Sequence, residues 1–152
     1  MKKWKKFLIV FLALGIVSIG TLSWYAAHFS MEPATGFEVN SDTLRTRVLI
    51  ATQGSAFKNA VVTKVVDSLK SESLYFKVID VSFLPSISES DWDAIIILHT
   101  WEYSKPPATV KDFISGIGKR EKIMVVTTSG SDSMMEGVDG ISSASKPSEK
   151  RM

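Results

Sequence analysis

Three short stretches hold the residues whose types and spacing are able to do chemistry: TQGSAFKN (52–59), HTWEYSKPP (99–107) and TSGSDSMMEG (128–137). In the first, Gly54 sits in a turn of small residues between an apolar run and a helix-like pattern, with Thr52, Gln53, Ser55, Ala56, Lys58 and Asn59 around it. Backbone N–H groups converging from such a turn and the helix start behind it, helped by hydroxyl, amide and ammonium donors, form a seat for an anion such as phosphate. In the second, Thr100 precedes Trp101 and Tyr103, two flat side chains able to stack on a planar ring. In the third, Ser129 and Gly130 follow an aliphatic run, and the glycine lets backbone approach a ligand closely.

Other chemistries have less support. The chain has no cysteine, which excludes disulfides, thiolate metal sites and an acylated lipoprotein cysteine. No His or carboxylate cluster has metal-ligand spacing, and no serine has a triad context. His99, at the end of an aliphatic run, reads as a hydrogen-bonded structural residue, and Asp80, Asp91 and Asp93 read as strand ends or turn caps. Gly54 and Trp101 keep plain structural readings beside the functional ones, a permissive turn and a cap on the core.

The elements that must position these loops follow from periodicity. Arg47–Thr52 is a β-branched and aliphatic run, and Phe57, Val61, Val62, Val65, Val66 and Leu69 then share one helical face, with Lys58, Thr63, Lys64, Asp67 and Lys70 opposite. LYFKVIDV (74–81), DAIIILHT (93–100) and KIMVVTT (122–128) read as three more strands, the second apolar enough for burial on both faces. Pro106 and Pro107 open another helix, with Val110, Phe113, Ile114 and Ile117 as its apolar stripe. Alternation at these lengths predicts right-handed βαβ crossovers and a mostly parallel sheet, an α/β fold. Ligands of such sheets bind at the carboxyl ends of the strands, where the strand order reverses, and all three loops fall there.

This order of elements, the glycine-containing first loop, SDWDAIII (90–97) leading into the third strand and the aromatic-bearing loop after it resemble the flavodoxin-like family, especially the short flavodoxin and menaquinone-dependent protoporphyrinogen oxidase type. The resemblance covers roughly residues 47–145. It implies a flavodoxin-like three-layer sandwich with a parallel sheet of order 2-1-3-4-5, FMN as cofactor, its phosphate in the first loop, and its ring between the third and fourth loops. Thr52, Gln53, Gly54, Ser55, Ala56, Lys58, Asn59, Thr100, Trp101, Tyr103, Ser129 and Gly130 are then the cofactor-binding residues. The family's oxidase-type loop sets a hydroxyl residue, two residues, glycine, one residue and threonine; with Gly54 on that glycine, Ala51 and Ala56 stand where the hydroxyls are expected. A phosphoaccepting receiver shares the topology, but Ala51-Thr52 and His99-Thr100 replace the carboxylates it needs.

At the front, lysines 2, 3, 5 and 6 precede a charge-free run over residues 7–27, long enough to cross a bilayer core of roughly 30 Å. A cleaved secretory signal shares the basic start, but Trp24 and Tyr25 crowd the site beside Ala26 and Ala27 and favour an uncleaved single-pass anchor over residues 1–29. Lysines ahead of the span place the following domain outside the cytoplasm. Without them, 14 basic residues face 16 acidic ones, which argues against a nucleic-acid surface. Residues 30–45 read as a linker, 46–145 as the domain, and 146–152 as a polar tail. GVDGISSAS (137–145) resembles a short or incomplete fifth strand with no closing helix after it, which leaves one sheet face thinly covered for a second subunit, a membrane surface or a partner. The expected activity is FMN-based electron transfer or quinone-type reduction at a membrane, with a redox protein or quinone as partner. A flavin-free binding or assembly module on the same fold is the alternative.

Overall fold

The computed structural model describes residues 2–29, 31–102, 104–129 and 135–144. Tyr103, Gly130 and the 146–152 tail, all singled out by sequence, lie outside the described residues. The chain divides into two units, residues 1–30 and 31–152. The first is helix α1 (Lys3–Phe29), whose 23-residue apolar stretch Lys3–Tyr25 has a mean hydropathy of 2.2. At 1.5 Å per residue it is long and apolar enough to span a membrane.

The second unit is an α/β domain around a mostly parallel seven-stranded sheet. Its elements are β1 (Glu32–Pro33), β2 (Phe37–Val39), β3 (Thr46–Gly54), α2 (Ala56–Leu69), β4 (Leu74–Asp80), β5 (Ala94–Thr100), α3 (Ala108–Gly116), β6 (Ile123–Ser129) and β7 (Asp139–Ala144). The strands lie in the order β2-β4-β3-β5-β6-β7. β3 through β7 pair in parallel, whereas β2 runs antiparallel on β4 and β1 antiparallel on the last residues of β3. From β3 the chain moves to β4 on one side and then returns to β5 on the other. The order therefore reverses between β3 and β5.

Side chains alternate across the strands, as a period of two requires. On one face Leu49, Ala51, Ile95, Ile97, Ile123 and Val125 pack with Val110 and Ile114 of α3 and with Leu84 of the 3-10 turns between β4 and β5. On the other, Val48, Ile50, Phe76, Val78 and Leu98 pack under Val62 and Val66 of α2. Trp92 closes the first core beneath β3, stacked on Tyr75 at 6.1 Å, with the Arg47 guanidinium 5.1 Å from its ring. The α2 side is less well covered toward β6 and β7, where Met124 and Ile141 are 43% and 57% exposed.

Three expectations need correction. The segment read as a linker contributes β1 and β2 to the sheet, and Asn40 within it donates to the carbonyls of Lys70 and Leu74, closing the end of α2. Strand β3 runs on to Gly54 instead of stopping at Thr52, because Glu32 and Pro33 give Gln53 and Gly54 a partner. The face of α2 is also rotated: Phe57 is 53% exposed while Lys58 is 2% exposed, in line with Val62 and Val66 at helical spacing. The first turn of α2 lies beside polar strand ends, where a buried lysine finds partners and a phenyl ring would not.

Candidate functional site

The ends of β3, β5 and β6 come together at the strand-order reversal. Ser55 starts α2 in an extended conformation, and its hydroxyl accepts the N–H of Lys58 at 3.1 Å, a capping bond that fixes the helix start. That bond turns the Ser55 oxygen toward the helix. Thr52 is buried, and its hydroxyl donates to the Gln53 carbonyl at 3.0 Å. Gln53 accepts the Thr100 N–H at 2.7 Å and so clamps β3 to β5 across the reversal.

Lys58 sits at the centre. Its Nζ donates to Thr100 Oγ1 at 2.7 Å, Thr100 Oγ1 lies 2.7 Å from Thr128 Oγ1, and Thr128 Oγ1 donates to the His99 carbonyl at 3.4 Å. The Lys58 ammonium only donates, whereas the single proton of the Thr100 hydroxyl has two acceptors in reach, Thr128 Oγ1 and the Met31 sulfur at 3.6 Å. The other acceptor of Lys58 is the Met31 thioether, at 3.6 Å. Burial lowers the Lys58 pKa, and the Glu102 carboxylate partly opposes that shift. No salt bridge to Lys58 forms among the described residues, so its charge is held by a hydroxyl and a sulfur.

His99 is fully buried, with Nε2 3.3 Å from Thr127 Oγ1 and no partner for Nδ1 among the described residues. Burial pulls its pKa down to about 4, against an upward pull from a hydrogen bond with the Thr100 backbone and with a smaller downward push from the charge on Lys58. It is neutral at physiological pH, and its place agrees with a structural role. Asp80 and Asp93 are capping groups, as expected: Asp80 accepts the N–H groups of Ser82 and Ala34, and Asp93 that of Arg47.

Trp101 is half-buried, its N–H donates to the Thr128 carbonyl at 3.3 Å, and its indole Nε1 is buried without a partner among the described residues. Ser129 ends β6 at the same edge. Gly54, Ser55, Ala56 and Asn59 line a pocket of about 330 Å³ beside the first turn of α2. Its opposite wall is Glu32–Thr35. The structure thus gathers Thr52 to Asn59, Thr100 and Trp101 into one region.

Sequence reasoning missed Met31, Glu32, Thr128 and Glu102. Thr128 stood at the expected end of a strand and was the most recoverable. The Met31–Pro33 segment shows no alternation by itself, since a two-residue strand has no period to read.

The donor chemistry suits an anionic group: a buried ammonium without a salt bridge and an indole N–H without an acceptor among the described residues, beside a helix start. The approach does not suit one in this conformation, because β1 lies against Gln53–Gly54 and Met31 against Lys58. No protein-family model matches this chain, and no curated protein is significantly similar to it.

Proposed function

We propose that the chain is a membrane-tethered flavodoxin-like domain that holds FMN at the β3–β5 reversal and serves electron transfer or quinone-type reduction. One observation carries the reading: the buried Lys58 ammonium stands at the helix start where the strand order reverses, with Glu102 acting on it only through space and no salt bridge to it among the described residues. The strand order supports it, since the five parallel strands β4-β3-β5-β6-β7 follow the 2-1-3-4-5 pattern in chain order. Helices α2 and α3 pack on opposite faces, as a three-layer arrangement needs.

In this reading Lys58 supplies the positive charge for the phosphate, and the Ala56 and Phe57 N–H groups at the start of α2 supply hydrogen bonds. Asn59 adds an amide donor from the next turn, and Trp101 offers a flat face to the ring. Bound flavin supplies the one- and two-electron redox chemistry; the protein's part is to position it, exclude water and set its electrostatics. His99, buried and neutral, moves no proton. Helix α1 anchors the chain, and the four lysines before its apolar run place the domain on the extracytoplasmic side. The exposed Met124 and Ile141 give a redox protein or a second subunit an apolar contact.

A second reading has its own observation. The pairing of β1 with Gln53–Gly54 fills the approach to the loop, which favours a flavin-free binding module. Fluorescence titration of the purified full-length protein in detergent separates the two. Saturable quenching of FMN, weakened by Trp101→Ala, supports the flavin site; no saturable binding by the parent or by Ala56→Thr, which adds a hydroxyl at the helix start, supports the module.

A further inference from the structure

The seat at the β3–β5 reversal carries its own cover. Resting on the reading of this region as a ligand site, we propose that Met31–Pro33 is an intramolecular lid, which must leave Lys58 and Gly54 before an anionic ligand can reach them. The lid and the ligand compete for the same groups, so each weakens the other by the same factor.

Four features make this segment a lid and not a permanent strand. Its contact with Lys58 is a thioether at 3.6 Å, one of the weakest acceptors an ammonium meets, and a phosphate oxygen is far stronger. Its ladder is two residues long, and one of them, Pro33, has no N–H to give. Its other ties are the Thr100 hydroxyl, 3.6 Å from the same sulfur, a 3.4 Å bond from the Met31 N–H to Glu102 and a 2.7 Å bond from the Ala34 N–H to Asp80. So short an attachment belongs to the low-stability end of local opening. Finally, Glu32 lines the same pocket as Ser55 and Ala56, so the closed lid sets an acidic residue at that pocket, and opening removes it.

The contact at Gly54 is backbone on backbone. A Cβ there would stand 2.7 Å from the Glu32 carbonyl oxygen and 2.9 Å from that of Pro33, so any side chain at this position lifts the lid. Only Ser30 and Met31 separate Phe29, the last residue of α1, from β1.

The test uses the full chain in detergent, with Gly54→Ala, which displaces the lid sterically, and Met31→Ala, which removes the thioether. Acetic anhydride labelling of Lys58, read by mass spectrometry, reports access without reference to flavin. The expected result is Lys58 labelling at least tenfold faster in Gly54→Ala and several-fold faster in Met31→Ala, with millimolar inorganic phosphate slowing it in both. FMN should bind both variants at least fivefold more tightly than the parent. Labelling of Lys58 at the parent rate in both variants overturns the lid, as does saturable FMN binding of equal affinity in the parent and both variants. Fast Lys58 labelling with no binding of FMN or phosphate upholds the occlusion by Met31–Pro33 and overturns the flavin reading instead.

Discussion

Replacing Lys58 by methionine should make the protein more stable. The lysine is 2% exposed, and its ammonium has one good acceptor, Thr100 Oγ1 at 2.7 Å, and one poor one, the Met31 sulfur. Removing an ammonium from water costs several kcal/mol even after relaxation. A single charge-assisted hydrogen bond returns roughly 1.5–3 kcal/mol. Methionine keeps an unbranched stem of similar length, and Thr100 keeps Thr128 as its partner, so no hydroxyl is orphaned. We expect Lys58→Met to gain about 1–2 kcal/mol at pH 7, read as a higher denaturant midpoint at unchanged slope in guanidinium unfolding followed by tryptophan fluorescence. The pH dependence fixes the cause. The native pKa of Lys58 lies below 10.5, so between that pKa and 10.5 the unfolded chain holds more protons and parent stability rises with pH. The advantage of the variant should be full below the native pKa and shrink as pH rises toward 10.5. Destabilisation by more than about 1 kcal/mol would refute the reasoning and make the ammonium a structural anchor.

Further expectations concern other residues. His99, with its pKa lowered from 6.5 to about 4, binds a proton less readily than in the unfolded chain, so stability should fall by up to about 3 kcal/mol as pH drops from 6.5 toward 4. Denaturant titrations of His99→Gln should lack that part of the acid slope. Trp101→Ala should weaken FMN by roughly 1–3 kcal/mol in a quenching titration while leaving the unfolding midpoint close to the parent's, because the side chain sits at the sheet's edge. Since the chain has no cysteine, Ser71→Cys in the exposed turn after α2 should react with a membrane-impermeant maleimide in intact cells; labelling only after lysis would reverse the orientation.

The parallel strands were readable because burial on both faces writes itself as unbroken aliphatic runs: Ile95 to Leu98 marks β5, and the Val110 and Ile114 stripe marks α3. The small strands β1 and β2 were not, since two or three residues hold no period and their order comes from pairing with β3 and β4. That omission changed the site. Without β1, the turn at Gly54 reads as an open loop; with it, Gln53 and Gly54 belong to a strand and the helix start is walled in. Lys58 was placed on the wrong face for a related reason. A helical wheel puts a lysine in solvent, and only the hydroxyls of Thr100 and Thr128, contributed by strands 42 and 70 residues further along the chain, turn it inward. The chemical type of the donors was legible, whereas their access depended on a contact more than twenty residues away in sequence.

The most direct test of the central claim is the ratio of FMN to riboflavin affinity, measured by fluorescence quenching in the full-length parent and in Lys58→Met. The two ligands share the ring and differ in the phosphate, so the ratio isolates the anion seat. The parent should prefer FMN at least tenfold, the scale of one charge-assisted hydrogen bond, and Lys58→Met should lower the ratio by about that factor with riboflavin affinity unchanged. Equal affinities for FMN and riboflavin in the parent, or a preference for FMN undiminished by the loss of the lysine, would contradict the assignment of Lys58 to the phosphate.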